Sequence, residues 1–366
     1  MKATQADLET LASLAPRERL DPWLADNVRE LGDGPLIINF LHGGTSNTVF
    51  TVSRGGSQGV LRRTPLTPPP WQRQEHNARG AGPESAAAVG CTASACLCSC
   101  DDPSVIGSPF FVMERVKGWA PGLTEGDTVN MAPFDCLPYK YGVPFAMVDA
   151  LVRLARIDYK AIGHADFGRP DRFLDRQVDR WLSQLDSDPE LYDYPGRRIP
   201  GFDYVTDWLR ANQPNSFVPG IMHGDVGLPN ALFAPGPPAQ VTALIDWELA
   251  TIGDPLLDLG GFVHSMCDER EPCRVPQHGS LRVDDYPTRQ ALAPYYAAGT
   301  GADPAALDYY MVLATYECLH RGIQGAQAAI GLLPASSGCF FSGLGLRRVA
   351  EAQRIARLVE GLPVPD

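Results

Sequence analysis

The stretch from Ile221 to Asp258 constrains this chain more than any other. It opens on an apolar pair, Ile221 and Met222, and passes through a Gly/Pro-rich loop holding His223, Asp225 and Asn230. A second apolar run, Val241 to Ile245, then ends on Asp246. β-Branched and aliphatic runs of this length, bounded by turn residues, read as buried strands. The pattern predicts a loop held rigid by its flanks, presenting an acid, an amide five residues on, and a second acid sixteen residues further.

Those three side chains suit one chemistry. Transfer of a phosphoryl group from a Mg-nucleotide needs a carboxylate that orients the attacking hydroxyl and accepts its proton. It also needs hard oxygen ligands for the Mg²⁺ that bridges the phosphates. Asp225 suits the first role, and Asn230 and Asp246 suit the second. Taken alone, H-x-D-x-x-x-x-N is a weak signal. The bland alternative makes His223 and Asp225 loop caps and Asp246 a helix N-cap. It has to explain separately the I-D-W-E at Ile245 to Glu248 and the G-D-P-L-L-D-L at Gly253 to Leu259, which follow in order.

The whole arrangement resembles the catalytic and metal-binding loops of kinases, with H-G-D for the H-R-D of protein kinases and I-D-W-E in place of D-F-G. Together with G-D-P-x-x-D-L, it looks like the aminoglycoside phosphotransferase and choline kinase family. The similarity extends to the branch whose phosphotransferase-like domain is fused to acyl-CoA dehydrogenases, through V-L-R at Val60 to Arg62 and R-Q-x-x-R-W at Arg176 to Trp181. The resemblance implies an α+β, two-lobed, protein-kinase-like fold, with residues 1–118 as a small β-rich N-lobe and 119–366 as a larger, mostly helical C-lobe. It implies ATP and Mg²⁺ as cofactors and a small-molecule hydroxyl as acceptor.

Length and composition agree with a globular enzyme. A chain of 366 residues can bury the cores of two lobes. It is 44% hydrophobic and 20% charged, values typical of folded domains. The formal charge of -12 argues against a nucleic-acid partner and favours cationic small molecules. No apolar run is long enough to span a membrane, and the first twenty residues lack the apolar core of a signal peptide, so a cytoplasmic protein is expected. In that setting the nine cysteines are expected to be reduced thiols.

Along the chain, apolar positions from Leu8 to Val28 carry helical spacing. Strands are expected over 35–40, 48–53, 60–63 and 109–116. The first two flank Gly43, Gly44, Thr45, Ser46 and Asn47, where glycines would let backbone N–H groups approach phosphates; a plain hairpin is the alternative. In the resembling family a strand lysine faces the phosphates, and Arg62 stands at that place, keeping the charge. The same resemblance puts Glu114 to Val116 at the hinge that meets the adenine edge.

Residues 72–100 break the pattern where the family has a helix, bearing a glutamate that pairs with the strand cation, and then a strand. Glu75 is the candidate for that glutamate. Cys96, Cys98 and Cys100 match no zinc spacing, and an irregular Ala/Gly-rich loop or a local reading-frame slip is expected, the slip being favoured. Residues 119–142 read as a loop or lid. Helices are expected over 145–157, 173–185, 202–210, 259–266, 288–298, 304–330 and 341–362. Glu317 is a candidate to bind a cationic acceptor, but a surface role or an i, i+4 pairing with Arg321 is the favoured reading. Asp254 and Asp258 are expected to fix loop geometry, and His223 to brace it. The rival to an active kinase is a nucleotide-binding module that keeps the fold without turnover, motivated by the altered 72–100 segment.

Overall fold

A computed structural model describes residues 13–41, 48–63, 96–124, 127–129, 131–187, 201–264, 266–270, 285–317 and 338–362. The chain divides into two compact units, Met1–Val116 and Lys117–Asp366.

The first unit is built on a five-stranded antiparallel sheet of order β1-β2-β3-β5-β4. Its strands are β1 (Ile37–Phe40), β2 (Thr48–Arg54), β3 (Ser57–Arg63), β4 (Cys96–Cys100) and β5 (Phe110–Glu114). The period-2 alternation of β3 explains its two faces. Leu61 and Arg63 are buried, whereas Val60 and Arg62 on the opposite face are half-buried. The buried face packs with helix α1 (Arg17–Asn27), whose Leu20 and Leu24 join Phe50, Val52, Leu61, Phe110 and Val112 in one core. Arg63, 3% exposed, donates to the Ile106 carbonyl at 3.3 Å, which directs its charge away from the face that Arg62 occupies.

One sequence expectation changes here. Cys96–Cys100 is a strand, paired antiparallel with β5 through a bulge between Cys96 and Cys98, and Cys100 is part of the core. A CLCSC run lacks β-branched residues, so its strand character comes from pairing at the sheet edge rather than from propensity. Burial, with Cys96 close by, pushes the Cys98 thiol up to about 12, making it a poor nucleophile. Glu75 and the favoured frame slip fall in residues 72–95, outside the described residues.

The second unit is mostly helical. A short helix α2 (Pro103–Ile106) belongs to the first unit; α3 (Tyr139–Ala155), α4 (Phe173–Ser187), α5 (Phe202–Ala211), α6 (Leu256–Val263), α7 (Arg289–Thr300), a helical run over 307–317 and α8 (Gly338–Val359) belong to the second. Three two-stranded ribbons sit among them: β6 (Gly122–Thr124) with β7 (Asp127–Val129), β8 (Gly220–Met222) with β11 (Thr251–Gly253), and β9 (Ala231–Phe233) with β10 (Val241–Leu244). The expected loop at 119–142 thus contains the β6/β7 hairpin and the start of α3. Among the described residues no helix is long and apolar enough to cross a membrane.

Two further expectations are corrected. Glu317 is 9% exposed and accepts a hydrogen bond from Trp181 Nε1 at 3.0 Å, so it is an interior acceptor rather than a surface charge. Cys267 is disulfide-bonded, against the expectation of reduced thiols throughout.

Next to Cys267, the buried Asp268 carboxylate receives Arg270 at 2.7 Å, Arg289 at 3.2 Å and Gln290 at 2.7 Å, and Arg270 also grips Asp308. Burial alone would raise the Asp268 carboxyl. The hydrogen bonds from Arg270 and Gln290 outweigh it and hold the group at about 2 against an ordinary 3.8. A depressed folded value means the unfolded chain takes up the proton first as pH falls. The stabilisation is therefore present above about pH 4 and is lost as pH falls toward 2, to the extent of about 2 kcal/mol. Urea unfolding from pH 5 to 2 is expected to show this loss in the wild type and a flatter acid limb in Asp268→Asn; parallel limbs would refute it.

Candidate active site

The loop after β8 and the end of β10 meet through backbone groups that no sequence motif records. β9 and β10 pair antiparallel with Ala231 opposite Leu244, so Asn230 and Ile245 fall at the same end of the ribbon. The Ile245 N–H donates to the Asn230 carbonyl at 2.9 Å. His223 Nε2 lies 2.9 Å from the Ile245 carbonyl, which fixes the proton on Nε2 because a carbonyl can only accept. Nδ1 is then the acceptor for the Asp225 N–H at 3.3 Å. Ile245 thereby ties His223 and Asn230 to the residue directly before Asp246.

Asn230 completes the cluster by donating Nδ2 to the Asp225 carbonyl at 2.9 Å and to Asp225 Oδ2 at 3.0 Å. This double contact orients the Asp225 carboxylate. It also turns the amide so that its nitrogen faces Asp225 and its oxygen is the end presented elsewhere. Asp246 adopts left-handed backbone, φ 68 and ψ 60, a conformation that costs an L-residue about 1–2 kcal/mol and that Asp tolerates better than most. Although it stands at the N-cap of the short 3₁₀ turn Trp247–Leu249, its side chain makes no capping hydrogen bond. The capping explanation for this acid is therefore removed.

The loop is held from below. The backbone N–H groups of His223 and Gly224 donate to the two oxygens of Asp258, at 2.6 and 2.9 Å. His223 is 1% exposed with its ring 4.7 Å from that of Trp247, which makes it a brace. Gly224 has φ +81, and a Cβ there would lie 2.4 Å from the Leu249 carbonyl oxygen. Only glycine fits, which accounts for H-G-D in place of H-R-D. Asp254, 5% exposed, accepts from Leu256 N at 3.0 Å and from the Tyr310 hydroxyl. Burial raises its carboxyl above the usual range, and those two donors only partly offset the effect.

Residues 37–309 match the model of the phosphotransferase enzyme family. The chain belongs to that family. Among curated relatives, the Arabidopsis thaliana protein IBR3, assigned as an acyl-CoA dehydrogenase, is 30% identical over 279 residues, covering 71% of this chain and 32% of its own. The chain thus spans about a third of the length of that relative. Among solved structures, a Ralstonia eutropha jmp134 protein assigned as an aminoglycoside phosphotransferase superposes with a TM-score of 0.69 at 24% identity, covering 93% of this chain and 98% of that one. Choline kinase from Cryptosporidium parvum Iowa II gives a TM-score of 0.60 at 12% identity, covering 95% and 98%. At these identities the two structures establish the fold, and the expected α+β kinase-like fold is borne out.

The remaining expected site residues of the chain are distributed as follows. Arg62 lies in β3 opposite Val49 and Phe111, on the face away from the core. Glu114 is the exposed last residue of β5, opposite Gly59, and Val116 is the last residue of the first unit. Gly43, Gly44, Thr45, Ser46 and Asn47 lie outside the described residues. Two contributors were not predicted from sequence: the main chain of Ile245, and Tyr310, whose hydroxyl reaches Asp254 across 56 residues.

Proposed function

We propose that this phosphotransferase moves the γ-phosphoryl group of ATP to a hydroxyl of a small molecule in the cytoplasm. The observation that supports the reading is the junction at Ile245: its N–H donates to the Asn230 carbonyl, its carbonyl meets the His223 ring, Asn230 holds Asp225, and Asp246 is the next residue in the chain. Asp225, oriented by Asn230, accepts the proton of the acceptor hydroxyl as its oxygen bonds to the γ-phosphorus and ADP leaves. Asn230 and Asp246 would hold Mg²⁺. An amide oxygen and a carboxylate not engaged in capping are hard donors that fit this ion, which when bound neutralises charge on the phosphates. Arg62 and the residues from Gly43 to Asn47 would neutralise and cover the phosphates, and Glu114 to Val116 would meet the adenine.

Calorimetric titration of the protein with Mg-ATP tests this. Asp246→Asn is the informative variant, because Asn also accepts left-handed backbone and so removes the charge without straining the chain. Binding by the wild type, weakened about tenfold or more in the variant, is expected. Labelled ATP offered with a panel of amino alcohols, sugars and hydroxyacyl compounds should then yield a phosphorylated product. No Mg-ATP binding by folded wild type, or equal binding by both proteins, would defeat the proposal.

A further inference from the structure

We propose that Tyr310 is a positioning residue for the loop that carries Asp225, acting through helix α6. Tyr310 is 1% exposed on the helical run 307–317, and its hydroxyl donates to Asp254 Oδ2. The other Asp254 oxygen accepts the N–H of Leu256, the first residue of α6, at 3.0 Å. One turn further along the same helix, Gly260 has no side chain, and a Cβ on it would lie 2.7 Å from the Tyr310 carbonyl carbon and 2.8 Å from its Cβ. Helix α6 is therefore tied to Tyr310 at its start and seated directly on the Tyr310 backbone in its middle.

Between those two fixed points stands Asp258, whose oxygens hold the N–H groups of His223 and Gly224. Any shift of α6 moves Asp258, and with it the two residues immediately before Asp225. Displacements of about 1 Å in such a support are enough to cost ~10²-fold in rate. Tyr310 touches neither Asp225 nor Asn230 in this chain of contacts. Its influence passes through Asp254, the seating of α6 and Asp258 in turn.

The inference rests on the proposed phosphoryl transfer only for its effect on rate, and the test separates the two. Tyr310→Phe keeps the ring and removes the hydroxyl. Amide hydrogen exchange on the full chain is expected to quicken about tenfold at His223 and Gly224. Ile221 and Ile252, paired across β8 and β11, should keep wild-type rates. In the phosphotransfer assay kcat is expected to fall about tenfold while the KM for ATP stays within about twofold. Adding Asp254→Asn to Tyr310→Phe should cost no more than the worse single change, because both break the same link. Unchanged exchange at His223 and Gly224, or equal acceleration across the whole second unit, would overturn the inference. If exchange responds as expected and the wild type transfers no phosphoryl group, the positioning role stands and the proposed function fails.

Discussion

Asp225→Asn is expected to lower phosphoryl transfer by about 10²–10⁴-fold while leaving Mg-ATP affinity within about twofold. The substitution changes one atom and no volume. Asn230 donates Nδ2 to Asp225 Oδ2 at 3.0 Å and to its backbone carbonyl at 2.9 Å, so the introduced amide is steered to present its oxygen to Asn230. Its NH₂ then occupies the position of the other carboxylate oxygen and cannot accept the acceptor's proton. Because Asn230 and Asp246 are untouched, binding of the metal-nucleotide should persist, which distinguishes loss of a base from loss of a site. Single-turnover transfer from labelled ATP, alongside calorimetry, measures both quantities. A variant retaining more than about a tenth of wild-type transfer would remove Asp225 from the base role.

Asp258→Ala is expected to destabilise the second unit by about 3–6 kcal/mol. Each of the two hydrogen bonds that Asp258 accepts, from His223 N and Gly224 N, has a charged acceptor, and such bonds contribute about 1.5–3 kcal/mol each. Asp258 is 4% exposed, so water cannot easily take its place. A loss of this size is a large share of the ~5–15 kcal/mol that holds a domain together, and the variant should unfold early in urea or accumulate as insoluble protein. Gly224 adds to the effect, since its left-handed backbone against the Leu249 carbonyl persists only while the loop is held down. An unfolding free energy in urea within about 1 kcal/mol of wild type would show that other contacts carry the loop.

Much of this architecture can be read from the chain because periodicity and turn chemistry are written in side chains. The strands expected over 48–53 and 60–63 are present as 48–54 and 57–63, the second starting three residues earlier than its apolar run, and α4 and α5 follow from helical spacing. Helix α6 is harder. It begins at Leu256 rather than at Leu259, because a run holding Gly260 and Gly261 hides a start that Asp254 caps from outside the apolar pattern. Strands of three residues, as in β6 and β7, are too short to show a period at all. Within the candidate site the acids and Asn230 stand out by motif, and the requirement for glycine at 224 is visible only once Leu249 is in place. The junction at Ile245 consists of main-chain atoms, which have no letter. Glu317 was misassigned because its partner, Trp181, is 136 residues away.

The β8/β11 pairing and the Asp258 clasp also bear on how the chain is made. The longest closure that shapes the loop joins His223 to Asp258, 35 residues apart, a span whose closing entropy is modest. The hold that Tyr310 exerts on Asp254 comes from 56 residues downstream. During vectorial synthesis the loop can therefore close as soon as Asp258 leaves the ribosome. Translation at ~5–20 residues per second needs several seconds more to deliver Tyr310. For that interval the nascent chain carries its acids already assembled on a helix that has yet to be seated.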